Sequence, residues 1–407
     1  MSAREDWQRL LTGEPAEQIL VDVGTSTVTG VAAPGAPDLA ATVRYVGHPV
    51  LQTLALDTAD TLVLGSDFAR TGFVFERPDS TDDGFTDPLG VGWLWAEGSA
   101  APLVHPLEAA GYLDVARHPR PRQPALLQVT TPAEAGTAPL IIADAPVTGL
   151  VETCFGLRNA WQFMIDITDN WRVANALLDW ALETVATAYE QMLTAMPVQP
   201  DVVLYGDDYG YQGGMFLSGL DFRTFVRPRL RTLFSRIRRR TPAALCFHCC
   251  GAVQPILADL ADLGVELINL QYDAKNMQLS AVRAELPRAT VLHGYTNLHA
   301  LGTALERGDR RSIALLTDEL VRSGPVIAAP VDSLATEEAL LSVARAARFV
   351  RALSPDDVAQ LRQRGPVARV IDRAARTASD APGARPAGRP PRVIPVRAQS
   401  KQPVRAC

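Results

Sequence analysis

His248-Cys249-Cys250-Gly251 follows the short apolar run Ala243-Ala244-Leu245-Cys246-Phe247 and precedes a helical pattern that begins near Val253. This order puts an imidazole and a thiol at the carboxyl end of a strand. Residues i and i+2 share a face in extended backbone, so His248 and Cys250 can turn toward one cation while Cys249 points the other way and packs. Nitrogen and sulfur donors of this kind suit a metal such as zinc. A lone H-x-C triplet is a weak signal, and its chemistry depends on what neighbouring elements bring to it.

Those elements are short apolar runs alternating with amphipathic helices. The runs fall at 18–23, 140–143, 202–205, 243–247, 266–270, 290–293 and 326–329. The clearest helix spans 171–196, where Leu177, Leu178, Ala181, Leu182, Val185, Tyr189, Met192 and Leu193 recur at helical spacing and Pro197 closes the run. Polar residues recur after strand after strand: Asp207 and Asp208, then His248 and Cys250, then Gln271 and Tyr272, then His293 and Asn297, then Asp332. A (β/α)8 TIM barrel would gather all of them at one rim, where that fold builds its sites, whereas a doubly wound open sheet would spread them out. The expected fold is therefore an α/β barrel over residues 1–377. An irregular N-terminal portion, about 41–128, is expected to cover the barrel mouth or its end. Residues 378–407 are rich in Pro, Ala, Gly and Arg, with six basic residues against Asp380 alone, and are expected to form a disordered tail.

A hydrophobic content of 47% supports a sizeable core, and a net charge of −6 disfavours general affinity for nucleic acid or an anionic membrane surface. The first residues lack an apolar signal core and no apolar run approaches a membrane span, which makes a cytoplasmic protein the expectation. Five cysteines are too few for a disulfide framework. Cys154 and Cys246 read as small core residues.

The chain resembles the uroporphyrinogen decarboxylase superfamily, and within it the corrinoid-linked methyltransferase branch. The resemblance rests on Val21-Asp22-Val23-Gly24-Thr25 with Val28-Thr29-Gly30, on Tyr205-Gly206-Asp207-Asp208-Tyr209-Gly210, and on Phe222-Arg223 through Pro228-Arg229-Leu230. It rests equally on His248-Cys249-Cys250-Gly251-Ala252-Val253 leading to Gly264-Val265-Glu266-Leu267-Ile268-Asn269, and on His293-Gly294. The branch holds zinc with an H-x-C pair and a third ligand, usually cysteine, after the last strand. Here that loop reads Ala328-Ala329-Pro330-Val331-Asp332-Ser333-Leu334, so the resemblance implies a His248, Cys250 and Asp332 metal set with carboxylate in place of thiolate. It implies methyl transfer through a zinc-activated thiolate or heteroatom. The corrinoid would come from a separate protein, because the chain has no D-x-H-x-x-G motif. The rival activity is tetrapyrrole decarboxylation, which needs a basic cleft, and no R-x-x-G-R pattern occurs near the N-terminus. A diverged, metal-free family member in a specialised pathway is the third reading.

Within the constellation Asp208, Asp207 and His248 are the expected catalytic groups, with Asp208 favoured over Asp207. Two close carboxylates can split their pKa values for proton work, while the plainer reading of either is a helix cap or turn. Gln212, Gln271, Tyr272, His293 and Asn297 are the expected substrate contacts, His293 alternatively a satisfied core histidine. The arginine-rich stretch 221–240 either docks an acidic corrinoid protein or lays its side chains over apolar surface on a barrel helix. Glycine spacings for a phosphate loop are absent, and no nucleotide is expected.

Overall fold

The structure, a computed structural model, describes residues 2–23, 66–71, 84–87, 89–96, 99–120, 139–196, 198–330 and 337–380. Thirteen strands occur in these segments: β1 Leu20–Val21, β2 Phe68–Thr71, β3 Gly84–Thr86, β4 Gly92–Ala96, β5 Ser99–Val104, β6 Leu140–Ala143 and β7 Val202–Gly206. Then follow β8 Gly210–Tyr211, β9 Gly214–Met215, β10 Ala244–Cys249, β11 Leu267–Leu270, β12 Val291–Asn297 and β13 Val326–Ala329. Eight of them pair in parallel in the order β1-β13-β12-β11-β10-β7-β6-β2. The two outer strands meet as well, since Asp67 N–H donates to Val21 O at 2.7 Å and its carboxylate accepts from Val21 N–H at 2.8 Å. The sheet is thus a nearly closed α/β barrel wrapped by helices, as the strand-end pattern implied.

The strands are apolar throughout because both of their faces are covered. Alternate residues divide between two apolar clusters. Leu20, Ile142, Leu204, Cys246, Leu267, Val291 and Ile327 fill the barrel interior, and the N-terminal helix Ala3–Leu11 joins that cluster through Trp7 and Leu10. Trp7 meets Phe68 edge-on at 6.1 Å. Val203, Tyr205, Leu245, Phe247, Ile268, Leu270 and Ala328 instead pack outward against the helices. This parity continues past the apolar plug, so Asp22, Asp208, His248, Cys250, Asn269, Gln271 and His293 carry inward parity above it.

About half of the 41–128 portion lies within the described residues. One of its strands, β2, belongs to the barrel itself, while β3, β4 and β5 form a small antiparallel sheet. The loop after that sheet docks on the outer helices: Leu107 N–H donates to Leu157 O, and the Trp180 indole donates to His118 O. The arginines of the helix Arg227–Arg238 tie barrel helices together. Arg229 pairs with Asp179, Arg236 with Glu183 and Glu190, Arg227 with Asp259, and Arg238 with Glu266. The helix is a barrel helix, as the plainer expectation had it, but these arginines form ion pairs rather than cover apolar surface. The helix Ala368–Asp380 extends into the expected tail, and residues 381–407 lie outside the described residues.

One buried ion pair organises the docked loop. Arg158, 4% exposed, bonds Asp166, 1% exposed, at 2.7 Å and donates to the carbonyls of Leu107 and Ala110. Removing one partner strands the other charge without water. Asp166→Ala is expected to lower stability by about 3–5 kcal/mol in urea unfolding, and a loss below about 1 kcal/mol, the range of surface pairs, would contradict this account.

Candidate metal centre

β10 ends His248-Cys249-Cys250, and its partners in register are Gly206 of β7 and Asn269 of β11, both opposite His248. Gly206 has no side chain, which leaves room beside the imidazole. Two residues further on, Asp208 returns to the same parity. The ligand atoms of Asp208, His248 and Cys250 all lie within 4.8 Å of one another. His248 Nε2 stands 3.6 Å from Cys250 Sγ. A tetrahedral zinc with a nitrogen bond of about 2.05 Å and a sulfur bond of about 2.3 Å needs a separation of about 3.6 Å between those atoms. The set therefore fits the ion in element type, and its His248–Cys250 pair fits in spacing. His248 is buried while Asp208 and Cys250 are half-buried, so the centre faces the rim on their side.

The loop that carries Cys250 is fixed from three directions. Cys250 N–H donates to Asp208 Oδ1 at 2.7 Å, which ties the two residues together. Gly251 N–H donates to Gln271 Oε1 at 3.0 Å, and Ala252 N–H to Tyr211 O at 2.9 Å. Gly251 sits at φ +84°, where an added Cβ would fall 2.3 Å from the carbonyl carbon of Gly210. Only glycine lets the loop lie so close to the β8–β9 hairpin. Beyond the loop a cavity of about 350 Å³ opens between that hairpin, Ala252, Pro255 and Lys275.

Pleat parity sorts the expected site residues. Asp208 stands beside His248 and Cys250, and Asp207, one residue earlier, belongs to the outer face. Its carboxylate accepts from the N–H groups of Val151 and Glu152 and from the Tyr205 hydroxyl at 2.8–3.0 Å, capping the helix Leu150–Arg158. Burial and the nearby Glu152 charge push its carboxyl up to about 7, against the pull of those donors. The carboxylate pair thus separates into a neighbour of the H-x-C pair and a cap. Cys249 likewise faces outward: its Sγ accepts from Tyr209 N–H, and burial beside the Asp208 charge pushes its thiol well up.

Among the expected substrate contacts, Gln271 holds the metal loop with one end of its amide. Tyr272 has the opposite parity and packs on the outer apolar cluster, and so turns away from the rim. His293 has no ring nitrogen to spare, because Nδ1 lies 2.8 Å from Asn269 Nδ2 and Nε2 lies 2.9 Å from Asp22 Oδ2. It corresponds to the satisfied core histidine. Gln212 is exposed in the turn between β8 and β9, where its carbonyl accepts from Lys275 N–H. The side chain of Asn297 and the whole of Asp332 lie outside the described residues. Sequence reasoning missed Asn269 and Asp22, although both follow inward-facing apolar residues by two positions and parity alone would have found them.

A profile of the uroporphyrinogen decarboxylase (URO-D) family matches residues 113–363, more than half of the chain. No curated protein matches the sequence. Among solved structures, a methyltransferase from Methanosarcina mazei superposes with a TM-score of 0.54 at 18% identity, over 83% of this chain and 96% of that one. At this identity the likeness concerns the fold.

If Asp207 acts as a cap, its loss is a matter of stability. Asp207→Ala is expected to cost about 1–3 kcal/mol in denaturant unfolding, with metal content unchanged. A variant of unaltered stability that no longer binds metal would return Asp207 to the centre.

Proposed function

The chain belongs to the uroporphyrinogen decarboxylase family, and from that premise we propose that it is a zinc-dependent methyltransferase. It moves a methyl group between a small-molecule donor or thiol acceptor and a corrinoid carried by a separate protein. The observation that carries this reading is the donor set: Nε2 of His248 and Sγ of Cys250 at tetrahedral zinc spacing, with Asp208 beside them. Asp208 supplies a carboxylate beside the pair, and Asp332, the ligand that the resemblance implies, lies outside the described residues.

Two anionic donors, the Cys250 thiolate and the Asp208 carboxylate, balance a divalent ion, and a neutral His248 adds no charge. Three protein ligands would leave one position on the ion for a substrate atom. Zinc bound there would supply a Lewis acid that keeps an incoming thiol as thiolate at neutral pH, or polarises the leaving heteroatom of a methyl donor. The chain's own contribution is placement. The Cys250 N–H bond to Asp208 and the Gly251 bond to Gln271 hold the donors in one geometry, so metal binding costs little ordering. The half-buried donors lie on the rim side, which suits a methyl carrier held by another protein. Tetrapyrrole decarboxylation fits less well: the sequence lacks the basic N-terminal motif, and the arginines described above are engaged on the outer helices. Among the described residues, no helix is long and apolar enough to cross a membrane.

Elemental analysis of purified protein is expected to find about one zinc per chain, with His248→Ala and Cys250→Ala losing it. Wild type mixed with methylcobalamin and a panel of small thiols is expected to consume the methyl-cobalt absorbance, and Cys250→Ala to leave it intact. Protein without stoichiometric zinc, or equal metal content in Cys250→Ala, would sink the mechanism.

A further inference from the structure

His248 can offer Nε2 to a cation only if the ring proton sits on Nδ1, and a neutral imidazole in water has no strong reason to keep it there. The surroundings of the ring supply one. His248 Nδ1 lies 2.6 Å from Asn269 Oδ1. On the other side of the same amide, Asn269 Nδ2 lies 2.8 Å from His293 Nδ1 and 3.0 Å from the His293 carbonyl oxygen. A backbone carbonyl can only accept, so it fixes which end of the Asn269 amide is the donor. The oxygen must then face His248, and an amide oxygen can only accept. His248 Nδ1 is therefore the donor, and Nε2 carries the lone pair that faces Cys250.

The same logic runs one residue further. His293 Nδ1 faces an N–H group and so must accept, which puts the His293 proton on Nε2, where Asp22 Oδ2 receives it at 2.9 Å. Four residues from four strands or strand ends make one directional chain, Asp22 to His293 to Asn269 to His248, all buried. Backbone geometry guards it: Gly294, at φ +76°, has no Cβ, and one placed there would fall 2.8 Å from Asn269 Nδ2.

We propose that Asn269 is a positioning residue that sets the tautomer of His248 for metal binding, with His293 and Asp22 holding the Asn269 amide in the required sense. Asn269 does not touch the metal. It acts by making the Nε2 lone pair available and by orienting the ring, and because its oxygen is neutral it leaves the charge balance of the centre unaltered. The consequence for metal affinity rests on the zinc reading above; the tautomer itself does not.

Nitrogen NMR of 15N-histidine-labelled, zinc-free protein reads the tautomer directly, with the His248 signals identified from His248→Gln. Wild type is expected to carry the proton on Nδ1 of His248. In Asn269→Leu, close in size and without an acceptor, the proton is expected to redistribute toward Nε2. Chelator competition is expected to find zinc bound about 10–100-fold more weakly in that variant. Wild-type His248 protonated on Nε2 would overturn the proposal, whether or not Asn269→Leu folds. So would a folded Asn269→Leu that binds zinc as tightly as wild type. The Nδ1 tautomer in wild-type protein that binds no zinc would support the positioning role while removing the zinc reading.

Discussion

Everything at the centre depends on the alternation of side chains across the pleat of a closed parallel sheet. Inward residues of the lower barrel are apolar and pack against one another and against the N-terminal helix. The next inward positions then emerge together above that plug, on strands whose neighbours are fixed in register. His248, Cys250, Asp208, Asn269 and Gln271 come from three strands and meet because two-residue periodicity and the ladder between β7, β10 and β11 leave them no other place.

Parity also explains how chemically alike neighbours receive unlike roles. Asp207 and Asp208 are adjacent, as are Cys249 and Cys250, and Gln271 and Tyr272. In each pair one member turns to the barrel mouth and the other to the helix layer. Asp207 is taken by helix N–H groups and the Tyr205 hydroxyl, while Asp208 is left near His248 and Cys250. Burial raises the carboxyl of the first, and a metal would stabilise the charge of the second. A single residue of slip would exchange these environments.

The polar groups under the metal donors meet the demand that buried hydrogen-bonding atoms be partnered. Asn269 satisfies both His248 and His293, and Asp22 satisfies the far side of His293. Such a chain has one internally consistent arrangement of donors and acceptors, and that arrangement leaves Nε2 of His248 as an acceptor. Rigidity and readiness for a cation thus have the same origin.

Much of the frame was legible in the sequence because continuous apolar runs and helical periodicity are local signals. The strands at 140–143 and 326–329 were placed at their observed bounds, and His248 with Cys250 followed from an i, i+2 spacing alone. β2 was not legible, since Phe68-Ala69-Arg70-Thr71 is short and mixed and becomes a strand only by pairing with β6. The third donor could not be chosen from sequence either. Asp207, Asp208 and Asp332 all follow strands, and which carboxylate meets the H-x-C pair depends on distances between strands far apart in the chain. Composition and spacing by themselves determined the fold class and the pairing of His248 with Cys250 on one face, because both follow from backbone periodicity. Only the tertiary structure set Asp208 beside the H-x-C pair, turned Asp207 into a cap and revealed Asn269 beneath His248, because register and hydrogen-bond direction exist only once the strands are side by side.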